Sequence, residues 1–125
     1  MQVSESLEEA GNYAATLKNL DRFKEARSLL RKTLPVAWRV LGEDQRLTLK
    51  MRKVYAEVLY EDPDATLDDL REVVTRLEDL ERIARRVLGS SYPLTKLIEQ
   101  NLPKARKSVR DGEAYLAKRS RQGSA

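Results

Sequence analysis

Histidine and cysteine are absent from this 125-residue chain, and phenylalanine and tryptophan occur once each. Without histidine, the commonest general base and the commonest metal ligand are both missing. Without cysteine there are no disulfides, thiolate nucleophiles or thiolate metal sites, and the chain is indifferent to the redox state of its compartment. Five glycines and six per cent aromatics suit a sheet poorly, since strands draw on aromatic and β-branched residues and on tight glycine turns. No apolar run approaches the ~20 residues that span a bilayer. Met1 to Ala10 carries three glutamates instead of the basic stretch and apolar core of a leader. These absences argue against membrane insertion and secretion and favour the cytoplasm, with the nucleus as the other compartment.

Enzyme chemistry is equally short of parts. There is no glycine-rich phosphate loop, nucleophile elbow or metal-binding helix motif. Asp62, Asp64, Asp68 and Asp69 cluster in sequence, but a calcium loop also needs a glycine turn and a distal glutamate. Acids opening a helix explain them more simply. The expectation is a protein with no catalysis and no cofactor.

Charge is abundant. Lys, Arg, Asp and Glu make up 35% of the chain, with a net charge of +4. Residues 104–121 hold seven basic side chains against Asp111 and Glu113, so this stretch is +5 and the first 103 residues are close to neutral. A chain of this length fits one domain that buries roughly two-thirds of its unfolded surface, without staples.

Apolar residues recur at spacings of three and four, the signature of helices with one buried face. Leu7, Ala10, Tyr13, Leu17 and Leu20 mark a first helix, with Ser6 and Glu9 spaced as a capping box. Phe23, Ala26, Leu30, Leu34, Ala37 and Leu41 mark a second, closed by Gly42 as a left-handed cap and carrying Pro35 as a bend or a restart. Leu47, Met51, Val54, Tyr55, Val58 and Leu59 form a third stripe that ends before Asp62-Pro63-Asp64. The fourth begins near Thr66 and runs through Leu70, Val73, Leu77, Leu80 and Ala84 to Gly89. A fifth starts around Tyr92-Pro93 with Leu94, Leu97, Ile98 and Leu102, and Pro103 either interrupts it or opens a new helix. Val109, Ala114, Tyr115 and Leu116 make a weaker stripe beyond it.

The chain also repeats itself. Arg39-Val40-Leu41-Gly42 with Leu47-Thr48 returns as Arg86-Val87-Leu88-Gly89 with Leu94-Thr95, offset by 47, and Phe23, Ala26 and Leu30 map to Leu70, Val73 and Leu77. Tyr13-Ala14 and Leu17 map to Tyr55-Ala56 and Leu59 at an offset of 42, so five extra residues lie in the second inter-helix turn. Such periods mean stacked helix pairs, because one pair cannot bury its apolar face alone. The expected layout is a single helical-repeat domain over residues 1–120. Pair one covers 4–42 and pair two 45–89. A partial third pair or capping helix covers 92–119, and 120–125 is a frayed tail.

The pattern Tyr13-Ala14-x-x-Leu17, a polar turn, then Phe23-x-x-Ala26 and Leu30 resembles a tetratricopeptide repeat, and the 42-residue spacing and RVLG endings resemble the kinesin-light-chain variety. The resemblance spans about residues 7–102. Val73 stands where alanine is usual, and Pro103 takes the small-residue position of a third unit. The resemblance implies an all-α fold of tandem antiparallel helix pairs in a short right-handed α-solenoid, a fragment of a longer array or a minimal one. It also implies a non-catalytic scaffold that holds a protein, peptide or partner helix against the first helix of each pair.

On that projection the outward positions are Glu8, Gly11, Ala15, Lys18 and Asn19, then Lys50, Lys53, Glu57, Tyr60 and Glu61, then Gln100, Lys104 and Lys107. The partner-binding set is Lys18, Asn19, Lys50, Lys53, Glu57, Tyr60, Lys104 and Lys107. Its cations favour an acidic segment or a terminal carboxylate. The family's carboxylate clamp is not reproduced, since Gly11 and Ala15 occupy its first-repeat places, so chaperone-tail binding is not expected. Tyr60 is read as the partner-facing aromatic and Trp38 as packing between repeats. An incomplete third unit leaves an apolar end that a second copy could cover, making a homo-oligomer. The competing reading is a basic adaptor that binds nucleic acid or a ribonucleoprotein through Lys104, Arg106, Lys107, Arg110, Lys118, Arg119 and Arg121.

Overall fold

The computed structural model describes residues 3–123, with side chains from Glu5 onward, and is all-α among them. The helices are α1 (Val3–Asn19), α2 (Phe23–Leu41), α3 (Arg46–Glu61), α4 (Leu67–Leu88) and α5 (Pro93–Gly123). Turns of three to five residues join them, short enough to force each helix back against the one before. α1 pairs with α2 and α3 with α4, while α3 also touches α1, α2 and α5.

Local signals explain most of the boundaries. Thr66 caps α4 with a full capping box: its Oγ1 accepts from the Asp69 amide at 3.1 Å, and its own amide donates to the Asp69 carboxylate at 3.4 Å. Asp62 Oδ1 accepts from the Asp64 amide at 2.9 Å, turning the chain after α3. Gly42 and Gly89 end α2 and α4 at φ 100 and 92, both with ψ 156. That ψ lies outside the left-handed helical well expected at Gly42, yet the positive φ still favours glycine.

Three helix-level expectations need correction. α1 already runs through Ser6, so Ser6 and Glu9 are interior residues and no capping box forms there. α2 is one helix through Pro35, which rules out a restart there and leaves a bend as the remaining expectation, and α5 is one helix through Pro103, which neither interrupts it nor opens a new one. Both prolines lie on exposed faces, where water can satisfy the carbonyl four residues back that the missing N–H leaves free. α5 also continues to Gly123 instead of fraying at Ser120. Residues 1–2 of the expected domain and 124–125 of the expected tail lie outside the described residues.

The core forms two clusters that share α3. One joins Leu7, Leu17, Leu30 and Ala37 of the first pair to Met51, Val54 and Val58. The other joins Leu49, Ala56 and Leu59 to Leu77, Leu80, Ile98 and Leu102. Repeat-equivalent residues have equivalent burial: Leu30 and Leu77, Ala26 and Val73, and Ala37 and Ala84 are all completely enclosed. Truncating Leu30 or Leu77 to alanine would cost about 2–5 kcal/mol by leaving a cavity.

The repeat frays at its first helix. Tyr13 is 55% exposed and Leu20 60%, although both fall on the apolar stripe. Tyr55, the equivalent of Tyr13, packs against both clusters because α2 precedes its helix, and no described helix precedes α1. Gly11, expected outward, is buried where α1 meets α3, and a Cβ there would stand 3.3 Å from Met51 Cγ. Trp38, expected between repeats, does meet the second pair, with the Arg52 guanidinium 4.9 Å from its ring, but it is 44% exposed and not enclosed there.

α5 lies antiparallel along α4. Arg85 pairs with Glu99 at 3.0 Å, Glu78 with Arg106 at 3.1 Å and Arg71 with Glu113 at 3.1 Å, so the partners run in opposite directions along the two helices. Gly112 lets the helices close at the start of α4, where its Cβ position is 3.2 Å from Leu67 Cδ1. Every residue from Glu113 to Gly123 is exposed, an arm about 15 Å long at 1.5 Å per residue.

Candidate functional site

α3 lies beside both α1 and α5, and the three helices together form the walls of a groove of about 830 Å³. Its apolar surface comes from Ala15 on α1, Leu47 and Val54 on α3, and Leu94 and Leu97 near the start of α5. Leu97 is 46% exposed. Val54 and Leu94 are already nearly enclosed, so Leu97 and the half-buried Leu47 and Ala15 are the part of this apolar floor that a partner side chain could bury.

Charge surrounds that floor unevenly. Lys18, Arg46, Lys50 and Lys53 line the groove with Glu8 and Glu57, a local excess of two positive charges. Glu57 is held between two lysines: Lys53 Nζ donates to one carboxylate oxygen at 2.8 Å, and Lys18 Nζ lies 3.5 Å from the other. Lys18 also reaches Glu61 at 3.2 Å. The Lys18, Lys53 and Glu57 side chains are 12–14% exposed, so these pairs are partly desolvated and the lysines are held in place. Lys50 is exposed and has no ion pair among the described residues. Arg46 donates to the Tyr92 hydroxyl at 2.9 Å, joining α3 to the turn before α5 across one end of the groove.

No family model, curated protein or solved structure matches the chain.

Of the residues singled out in the sequence, Lys18, Asn19, Lys50, Lys53 and Glu57 converge on the groove. Tyr60 does not line it. Its hydroxyl donates to Asn101 Oδ1 at 3.0 Å across the α3–α5 contact, and its ring packs on the second core cluster. Burial there, reinforced by the charges of Glu57 and Glu61, holds the phenol pKa far above its usual value, so Tyr60 stays a neutral donor. Lys104 and Lys107 are exposed farther along α5, outside the groove lining, and Lys107 pairs with Asp111 at 2.7 Å.

Arg46, Leu47, Val54, Tyr92, Pro93, Leu94 and Leu97 line the groove although the outward projection did not include them. For Leu97 the signal was present: the offset of 47 maps Lys50 onto it. Its place among Leu94, Ile98 and Leu102 assigned it to the core stripe instead, although in the structure it faces the groove.

Proposed function

We propose that this chain is a non-catalytic protein-interaction scaffold of the tetratricopeptide-like kind, holding a peptide or partner helix in the groove formed by α1, α3 and α5. The observation that carries the reading is the convergence of four cations, Lys18 from α1 and Arg46, Lys50 and Lys53 from α3, around an apolar floor to which α5 adds Leu94 and Leu97. A ligand with apolar side chains and an acidic residue or terminal carboxylate would bury the first against Ala15, Leu47 and Leu97 and pair the second with Lys50. Both are recurring modes of peptide recognition. Among the described residues no helix is long and apolar enough to cross a membrane, and we assign the scaffold to the cytoplasm or nucleus.

The test is affinity capture from an extract of the source cells with wild type and a Lys50→Glu, Leu97→Asp double variant. Both residues are exposed, so the variant should keep its circular dichroism spectrum. A protein retained by wild type and lost by the variant supports the groove. Equal retention by both contradicts it.

A second reading rests on the α5 arm, where Lys118, Arg119 and Arg121 stand exposed with no acidic residue after Glu113. Such an arm would bind a polyanion with steep salt dependence. The exposed large apolar side chains of α5 are Leu97, Tyr115 and Leu116. They are the surface that self-association through this end would use, and sedimentation at high protein concentration tests it.

A further inference from the structure

The backbones of α2 and α4, the second helices of the two pairs, do not approach each other closely; both pack against α3. Between them, on a face of α3 separate from the groove, lies a slot of about 540 Å³. Leu30 and Leu34 of α2, Tyr55 and Ala56 of α3, and Leu77 and Leu80 of α4 give it an apolar interior. Trp38, the only tryptophan of the chain, also lines it.

All four charged residues of the slot are arginines: Arg31, Arg39, Arg52 and Arg76. Arg52 is the most constrained of them. Its guanidinium carbon sits 4.9 Å from the centre of the Trp38 ring, a cation–π contact that fixes both groups. Its Nη2 lies 3.4 Å from Asp79, while its Nη1 is buried with no hydrogen-bond partner among the described residues. A guanidinium with an unmet donor in a partly desolvated place is costly until an acceptor arrives. Arg76 pairs only with Glu72 on its own helix at 2.9 Å, and Arg31 and Arg39 have no ion pair among the described residues.

We infer that this slot is a second docking site, taken by an acidic amphipathic peptide segment of a partner protein. Leucine-like side chains of the segment would lie against Leu34, Tyr55 and Trp38, the accessible apolar lining of the slot, and its carboxylates would pair with Arg52 and with Arg31 and Arg39 at the rim. A carboxylate accepts two parallel N–H bonds from a guanidinium. Exposed Trp and Arg around an apolar pocket are the side chains that most often carry interface energy. The interior is mainly aliphatic, which favours apolar side chains over stacked nucleobases. In a second copy the exposed large apolar residue nearest a run of acids is Tyr13, after Glu5, Glu8 and Glu9, but it stands on α1, whose apolar face is already committed to its own core, so a second copy offers no free amphipathic segment there. With the groove on one face of α3 and the slot on another, the scaffold would hold two segments at once.

Trp38 makes the site directly observable, since all tryptophan fluorescence of the chain comes from it. The experiment selects binders from a random dodecapeptide library on wild-type protein. They are then titrated against wild type, Arg31→Gln/Arg39→Gln, Arg52→Gln and Lys50→Glu/Lys53→Glu while tryptophan emission is followed. Arg31 and Arg39 are exposed, so their double variant should stay folded even if Arg52→Gln does not.

The expected result is a class of peptides rich in Asp, Glu and Leu that shifts Trp38 emission and binds R31Q/R39Q at least tenfold more weakly. No enriched peptide of this class would overturn the inference. So would peptides that bind R31Q/R39Q as well as wild type but fail on K50E/K53E, since those are groove ligands. An oligouridylate that shifts Trp38 emission where no peptide does would make the slot a nucleic-acid site and end the proposal. Loss of slot binding with groove binding intact, or the converse, separates this inference from the groove reading.

Discussion

Thr48 and Thr95, 47 residues apart, make the same hydrogen bond: each is fully buried and donates its hydroxyl to the carbonyl of an alanine eleven residues earlier, Ala37 at 3.5 Å and Ala84 at 3.4 Å. Both alanines are themselves completely enclosed. The correspondence in sequence is therefore a correspondence in three dimensions, in which the third helix meets the second as the fifth meets the fourth. Both bonds are long, so replacing either threonine by valine keeps the shape and should cost about 0.5–1 kcal/mol. Urea unfolding of T48V, T95V and the double variant should give two similar losses that add.

Tyr60 and Asn101 hold α3 to α5. Phenylalanine at position 60 would leave Oδ1 of Asn101 without its donor beside an Nδ2 that already has no partner, and should lower stability by about 1–2 kcal/mol at neutral pH. The pH dependence follows from the raised phenol pKa. The fold favours the protonated form, so this contribution is complete below the unfolded value of about 10 and is lost as pH rises from there toward the folded value. The difference between wild type and Y60F, measured by denaturant unfolding from pH 8 to 11.5, should stay constant to about pH 10 and then narrow.

Glu57 lies between Lys18 and Lys53, and neutralising it leaves two cations side by side. Glu57→Gln should lower stability by about 1–2 kcal/mol, because charge-assisted bonds become ordinary ones and the lysines repel each other. It also raises the groove's local excess from two positive charges to three. Affinity for an acidic groove ligand should rise while the melting temperature falls, a divergence that titration calorimetry and thermal unfolding detect together.

Gly112 sets how closely α5 approaches the start of α4. Alanine there gains about 1 kcal/mol of helix propensity over glycine but must displace the partly buried Leu67 by a few tenths of an ångström. The net effect should range from neutral to about 1 kcal/mol stabilising. Leucine cannot be fitted so easily and should destabilise by about 1–3 kcal/mol. Hydrogen exchange should then speed up first in the amides of residues 106–113.

Much of this fold is legible in the amino-acid order because burial in stacked helices follows a period of three and four. Leu30 and Leu77 match through their shared offset and stripe position alone. Pro35 and Pro103 are harder to place, because a proline breaks a helix or is tolerated in it according to which face it occupies. Trp38 misleads for a related reason: its stripe position reads as packing, but the backbones of α2 and α4 stay apart and leave it on the rim of a slot. Lys50 and Lys53 follow from projection because repeat geometry fixes the outward face. Arg46 and Tyr92 close the groove through one hydrogen bond between residues 46 apart, which no local pattern announces. Tyr60 has an aromatic ring at a helix end, as a binding residue often does, but its hydroxyl is committed to Asn101.

The most direct test of the groove is site-specific photo-crosslinking, with benzoylphenylalanine placed at Leu97 on its floor or at Leu116 on the exposed arm, followed by irradiation in cells. A ligand held in the groove should give a discrete protein crosslink from position 97 that disappears when Lys50→Glu is added, with no equivalent at position 116. Crosslinks confined to position 116, or unchanged at 97 by the charge reversal, would overturn the groove reading and move the interaction surface to the basic arm of α5.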